Sequence, residues 1–582
     1  MAPTDSWAER RTRWLNRFHA RRAGFGPVAS GFVSQPEPRS IGSFYRGRQL
    51  SAGNFLFAGF LVEAPETPIW DLPMPDGVFE AEVQGFVWLD DLAAVGDRAA
   101  QKRAQHWTHD WVARYGQGEG PGWTPDLAGR RLVRWINHAI LLLNGASGDE
   151  NRAFFAALTR QTRFLARRWH AASPGLPRFE ALTGLVYAGL SLTGMQRHVR
   201  PAVQALDREC RSQIGPDGGI PTRNPEELLD VFTLLTWNIA ALSEEGRTAG
   251  PGLLEAVERV APTLRALRHA DGNLARFHGG GRGQEGRLDQ ALATSGVKTI
   301  RTEGLSMGFT RVAHGRTTIL VDAAPPPRGV NSVNAHASTL AMEITSGRRP
   351  LIVNCGSGMS YGQTWRRAGR ATPSHSTLCL EGYSSARLAP AGQSLGRDRE
   401  TLVDAPREVR IDWEDDEMTT GISASHDGYA RSHGLIHRRS LRLGLDGRGV
   451  TGEDALVSPD EATRKAFDRA LDTSRLKGIG FAIRFHLHPD VDAELDLGGT
   501  AVSMELKSGE IWILRHDGRA VLTLVPSVYL EKGRLSPRAT KQIVLSGAAI
   551  DYSTRIGWTL SKAQDTPSNI RDFVADERLA DD

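Results

Sequence analysis

The sequence predicts an α+β multidomain chain: a helical N-terminal half followed by a large C-terminal antiparallel β-sandwich. Three observations predict it. Apolar residues recur with helical spacing from about Leu89 to Leu292. From about Thr299 onward the alternation has period two. The Gly-rich stretch GGGRGQEG, Gly279–Gly286, precedes the change of pattern. The 582 residues exceed one ordinary core, which fits a large toroid or barrel joined to a sandwich.

In the helical half, RLVRWINHAILLLNG places Leu132, Trp135, Ile136, Ala139, Ile140 and Leu143 on one stripe and predicts one helix stopped by Gly145. Leu182–Gly194, LTGLVYAGLSLTG, is apolar nearly all round and predicts a helix buried on most sides. Leu228, Phe232, Leu235, Ile239 and Leu242 make another stripe, and roughly eight to ten such helices are expected. In DGGIPTRNPEELLDVFTLL, Asp217–Leu235, Asn224 is a good N-cap, Pro225 suits the first helical position, and Glu226 and Glu227 suit the first turn. Capping explains Asn224 without function; Arg223 could reach into a cleft.

In the second half, LGLDGRGV, LKSGEIW and RHDGRAV are turn signals, and SMELKSGEIWILRHDGRAVLTLV reads as three consecutive antiparallel strands. In VNAHASTLAMEI, Val333–Ile344, His336 stands at the entrance to a strand. STLAMEI, PLIVNC and STLCLEG predict three strands whose edges bring His336, Asn354 and His375 together. Two histidines and a carboxylate would make a zinc set, but the middle position is the neutral Asn354; the other reading is a hydrogen-bonded polar cluster. Arg366, Arg367 and Arg370, with Trp365 and Tyr361, form a cationic aromatic loop suited to carboxylates and sugar rings, or simply a solvated one. His486 and His488 in HLHP share a strand face, as ligands or as a structural pair. GRGQEG, Gly281–Gly286, matches GxGxxG outside any βαβ unit, so a boundary loop is the reading.

Composition excludes some classes. A net charge of +4, with 24% charged residues, argues against a dedicated nucleic-acid binder. Cys210, Cys355 and Cys379 show no CxxC spacing, so neither a disulfide framework nor a thiolate zinc site is expected. The N-terminus, MAPTDSWAERRTRWLNRFHARRAG, is arginine-rich without an apolar core, which predicts a cytoplasmic protein rather than an exported one. It reads as a basic amphipathic surface helix, or as a contact for a membrane surface or an anionic partner. No apolar run is long enough for a transmembrane span.

In order along the chain, RLVRWINHA, GLVYAGL, DGGIPTRNPEELLD, HADGNLARFHGGG, HASTLAMEI, LIVNCGSG, RATPSHSTLCLEG, HDGY with GLIHRRSLRL, and RFHLHP make a pattern. It resembles the heparinase II/III-like family of polysaccharide lyases, common in bacteria, over nearly the whole chain. The resemblance implies an N-terminal (α/α) toroid, a C-terminal antiparallel β-sandwich and an active cleft between them. The expected divisions are a basic segment 1–45, the toroid 46–295, the sandwich 296–565 and a tail 566–582. The implied activity is β-elimination on a uronic-acid-containing glycan, with an anionic polysaccharide or oligosaccharide as partner. That chemistry needs a carboxylate neutraliser, a base and an acid.

This chain departs from the family pattern. The Asn-His pair of the family falls at Leu176 and Pro177, its histidine after the glycines at Ile220, and its tyrosine near Glu227. Its catalytic β-domain histidine falls at Asn334, and its zinc aspartate at Asn354, between zinc histidines at His336 and His375. Either the site has been rebuilt or lyase activity is lost. A rebuilt site would use Tyr361 or His278 for proton transfer. Arg223, Asn224 and Arg370 would hold the carboxylate, Asn334 would assist, and Arg366 and Trp365 would bind substrate. A lost site would leave a glycan-binding accessory protein on the lyase scaffold. A structural zinc is the only cofactor implied, and family analogy gives a periplasmic location as the alternative.

Overall fold

The computed structural model describes residues 7–300, 304–390 and 400–564. The expected tail at 566–582 and the first six residues of the basic segment lie outside them. The chain forms two compact units: one comprises Met1–Ile220, Glu227–Ala261 and Gly286–Thr299, the other Pro221–Glu226, Pro262–Glu285 and Ile300–Asp582. Two short segments expected in the helical half, 221–226 and 262–285, therefore group with the strands.

Helices dominate the first unit and begin earlier than the apolar spacing suggested, at Trp7–Arg22, Phe44–Ala52 and Gly77–Gln84. The helix Leu176–Ser191 is buried at every position from Ala181 to Ser191, as its all-round apolarity requires. It crosses the helix Pro125–Asn137 glycine on glycine. A Cβ placed on Gly184 would lie 2.5 Å from Gly129 Cα, so only hydrogen fits there. The single helix expected to run up to a stop at Gly145 instead breaks at His138, giving Pro125–Asn137 and Ala139–Leu143. His138 leaves helical geometry at φ −102°, ψ 22°, and its Nε2 lies 2.8 Å from Asp90 Oδ1. Ile140, expected on the buried stripe, is consequently exposed.

The second unit holds two large antiparallel sheets. One includes the strands Thr419–Tyr429, Leu435–Gly444, Gly449–Val457 and Ser553–Lys562; the other includes Thr317–Asp322, Met342–Ser346, Arg349–Val353 and Ile479–Leu487. Their inner faces share one apolar core, with Ile319, Ile344 and Phe485 from one sheet and Leu441, Trp512 and Trp558 from the other. Of the three consecutive strands expected, Ala501–Leu506 and Ile511–His516 do pair. The third, Val521–Tyr529, crosses to the other sheet and pairs Arg538–Ala549. The reason is that the free edge of Ile511–His516 is already taken by Ser553–Lys562.

A buried ion pair spans this core. Arg439 binds Asp454 through Nε at 2.8 Å and Nη2 at 3.1 Å. Its Nη1 donates to the carbonyls of Leu340 and Ser376 at 2.9 and 2.8 Å. The pair thereby fixes the backbone on which His336 and His375 are carried.

Candidate functional site

All of the candidate residues lie within the second unit. Their centre is Asp322, the acidic end of the fully buried strand Thr317–Asp322. Its Oδ1 accepts from Arg223 Nη2 at 2.5 Å and its Oδ2 from Ser338 Oγ at 2.7 Å. His278 Nε2 stands 3.4 Å from Oδ2. Burial pushes the carboxyl pKa up, but Arg223 and His278 outweigh it and hold Asp322 well below the usual carboxylate range.

Arg223 does not point toward solvent. Nε donates to Met307 O at 3.0 Å, and Nη1 to Ala324 O and Pro325 O at 3.1 and 2.9 Å. Nη2 donates to Gly308 O at 2.9 Å and to Asp322. The five N–H groups of the guanidinium thus meet five oxygens. Next to it Asn224 caps the helix Pro225–Glu244, its Oδ1 accepting from Glu226 N at 3.0 Å.

His278 is buried at a backbone φ of +47°. Its Nδ1 accepts the backbone N–H of His336 at 3.2 Å, which places the ring proton on Nε2, toward Asp322. Burial lowers its pKa and Asp322 pulls the other way, leaving a net lowering. One imidazole nitrogen is occupied by backbone; the other faces a carboxylate at 3.4 Å without a hydrogen bond.

His336 does not open a strand. Asp322 draws the segment before it into a turn, through Ser338 Oγ and through Leu340 N–H to Asp322 O at 2.8 Å, and the strand starts only at Met342. Leu340 takes φ +61° in that turn. The arginine-rich segment, expected as a loop, is the helix Gln363–Arg370. Two of its arginines, four residues apart, turn inward. Arg366 Nη2 reaches Val333 O at 3.0 Å and Asn334 Oδ1 at 3.3 Å. Arg370 Nε and Nη2 reach Ala335 O and Ser332 O, each at 2.8 Å. They pin the segment that carries His336, and burial lowers Arg370 to about 10. Trp365 stays partly exposed beside Tyr361, their ring centres 6.5 Å apart. The Tyr361 hydroxyl donates to Glu531 O at 2.7 Å and accepts from Glu531 N at 3.3 Å, and burial raises its pKa.

His336 and His375 do meet, with ring centres 5.1 Å apart and both side chains buried. His336 Nδ1 and both ring nitrogens of His375 have no hydrogen-bond partner. Burial, then the neighbouring imidazoles, keep both rings neutral, with His375 pushed down to about 3. The third position does not fit a metal. Asn354 Nδ2 donates to Glu343 Oε1 at 3.3 Å and its Oδ1 accepts from Ser376 N at 3.0 Å. Glu343 is itself paired with His269 Nε2 at 2.9 Å and the Arg276 backbone. Among the described residues no three His, Cys, Asp or Glu side chains gather as a metal set. Two imidazoles and a committed amide fall short of a zinc ligand set. His486 is a structural residue: Nε2 lies 2.9 Å from Pro373 O and Nδ1 2.8 Å from Ser527 Oγ.

Sequence reasoning missed Asp322 and Glu343. The signal was an acid set in each of two otherwise buried strands, TTILVD and AMEITS.

Residues 297–559 match the family described as Heparinase II/III-like, C-terminal. The chain is 30% identical over 568 residues to FtsZ-localized protein C of Caulobacter vibrioides, covering 94% of each. Heparinase III superposes with a TM-score of 0.68 at 11% identity, over 95% of this chain and 89% of that one. Heparan sulfate lyase HepC of Pedobacter heparinus, as a mutant, gives 0.58 at 14% identity, over 96% and 89%. At such identities the structures establish the fold: an N-terminal (α/α) toroid followed by a C-terminal antiparallel β-sandwich.

Proposed function

The chain belongs to the heparinase II/III-like family, and from that premise we propose that it is a catalytically degenerate, accessory protein on the polysaccharide-lyase scaffold, working with FtsZ in bacterial cell division. One observation carries the loss of catalysis: the groups that would move protons or hold a carboxylate are committed inside the fold. His278 is buried with Nδ1 taken by backbone and Nε2 set 3.4 Å from the Asp322 carboxylate, Tyr361 uses its hydroxyl both ways on Glu531, and Arg223 spends five donors on five oxygens. Two positions where the family places an Asn-His pair hold Leu176 and Pro177, the first residues of a helix. The tie to division rests on the relative named FtsZ-localized protein C, matched end to end; a cytoplasmic location goes with it.

Sedimentation with FtsZ polymers tests this reading. The protein should pellet with FtsZ in the presence of GTP and stay in the supernatant without it. A protein that never pellets with FtsZ, and whose fluorescent fusion is diffuse in dividing cells, would remove the division role.

A second reading is favoured by the unpartnered nitrogens of His336 and His375: a lyase that cleaves a uronate glycan by β-elimination. A base would take the C5 proton, the electron pair of the C5–H bond would form the C4–C5 double bond, and the C4–O bond would break with its pair on the departing oxygen, which takes a proton. In that case Asn224 and Trp365 would contact the sugar.

A further inference from the structure

The strand Val409–Trp413 ends the eight-stranded sheet that holds Thr419–Tyr429. It pairs Thr419–Tyr429 on one side, and among the described residues no strand pairs it on the other. Glu414 N donates to Gly421 O across the hairpin at 2.9 Å. Antiparallel bonding alternates, so Arg410 and Asp412 bond inward while Val409, Ile411 and Trp413 turn their N–H and C=O groups outward. Side chains alternate as well. Val409, Ile411 and Trp413 share the face on which Ile411 packs against the apolar core, and there Trp413 is 49% exposed. Arg410 and Asp412 stand on the opposite face, both exposed. An open edge invites pairing, and proteins commonly blunt it with charge. The strand at the other end of this sheet, Val491–Asp496, is blunted that way: Asp492, Glu494 and Asp496 are acids with no cation among them. Val409–Trp413 instead carries one charge of each sign.

We infer that two copies of this chain join through this edge, Val409–Trp413 of one lying antiparallel to Val409–Trp413 of the other about a two-fold axis. One register fits, centred on Ile411. Ile411 lies opposite Ile411, and Val409 opposite Trp413 of the second copy. These are the outward-turned residues, so each becomes a hydrogen-bonded pair exchanging two backbone bonds. Between them Arg410 lies opposite Asp412 of the second copy, and Asp412 opposite its Arg410. Those are the close, non-hydrogen-bonded positions where opposite charges across strands stabilise a sheet. Sliding two residues either way would set Asp412 against Asp412 or Arg410 against Arg410. The half-exposed Trp413 indole is covered by Val409 of the second copy. In the single chain Arg410 reaches only Glu408 on the same exposed face, at 2.5 Å, a surface pair of little worth. Just past the paired stretch Glu408 faces Glu414 of the second copy, whose charge Arg442 already meets at 3.0 Å. The inference stands on this strand alone and is independent of any association with FtsZ.

Sedimentation velocity of the purified full chain tests it. The protein should sediment as a dimer that dissociates on dilution, and the amides of Val409, Ile411 and Trp413 should exchange hydrogen more slowly in the dimer. Arg410→Asp alone, or Asp412→Arg alone, sets like charges opposite each other twice in the pair and should weaken the dimer about thirtyfold. The swap Arg410→Asp with Asp412→Arg makes the charges opposite again and should restore the dimer. Both side chains are exposed, so none of these variants should change the unfolding temperature of the dilute monomer. A chain that stays monomeric at high protein concentration would overturn the inference. So would a dimer that neither reversal weakens, which would assign the contact to another face. A swap that stays as weak as the single reversals would overturn this register.

Discussion

Arg223 spends its guanidinium on four carbonyls and the Asp322 carboxylate, so its removal leaves a buried acid without its cation. Arg223→Met should therefore cost about 3–5 kcal/mol in urea unfolding; a substrate-holding arginine would lose binding and leave stability alone. The sequence pointed to Arg223 as unexplained by capping but gave no hint of its use. Its acceptors at Met307, Gly308, Asp322, Ala324 and Pro325 come from a distant stretch of chain, and only the fold brings them together. Asn354 was legible as the weak member of a possible metal set, and its amide proves to be tied to Glu343 and Ser376. Asn354→Asp would set a carboxylate against Glu343 while restoring a third anionic ligand beside His336 and His375. It should destabilise the metal-free protein by about 2 kcal/mol and bind about one zinc per chain. Elemental analysis of the purified variant and the unmodified chain, melted with and without chelator, checks this; stoichiometric zinc in the unmodified chain would refute it.

Among the elements, helices with strong apolar periodicity were readable, and the misreadings have particular causes. The helix expected to end at Gly145 breaks at His138 because that imidazole meets Asp90, a partner 48 positions away. The arginine-rich segment forms a helix because Arg366 and Arg370, one turn apart, find carbonyls of the 332–335 segment. A local pattern carries no record of either contact. The close crossing of Pro125–Asn137 and Leu176–Ser191 was equally invisible, since a glycine in an apolar helix does not say what approaches it. Gly184→Leu should force those helices apart and cost about 2–3 kcal/mol, read as a lowered midpoint in thermal unfolding; an unchanged midpoint would mean the crossing yields freely.

At the scale of the whole molecule, the two-part fold was readable because the hydrophobic period changes once, near residue 299, and because family-like segments run the length of the chain. The site was less readable, since the same residue types serve a reactive cluster or a structural one, and only the partners that the fold supplies tell them apart. The cluster has a pH signature. His375 titrates near 3 and His486 and His488 near 4 in the fold, against an ordinary value of 6.5. The unfolded chain therefore takes up protons first as pH falls, and stability present above pH 6.5 is lost progressively below it. The loss is about 2 kcal/mol for each of these imidazoles by pH 5. Below the ordinary carboxyl range Asp322 and Asp454, whose pKa values the fold lowers, add to it. Thermal midpoints should be flat above pH 7 and fall steadily from pH 6.5 toward 4; a midpoint held constant to pH 4.5 would contradict the neutral buried imidazoles.

The most direct measurement follows ultraviolet absorbance while the purified protein is incubated with heparin, heparan sulfate, hyaluronan, alginate and polyglucuronate, since β-elimination leaves an unsaturated uronate that absorbs there. A scaffold whose proton-transfer groups are committed predicts a flat trace on every glycan. A rise with any one of them, lost in Tyr361→Phe or His278→Ala variants that still fold, would show a working lyase and contradict it.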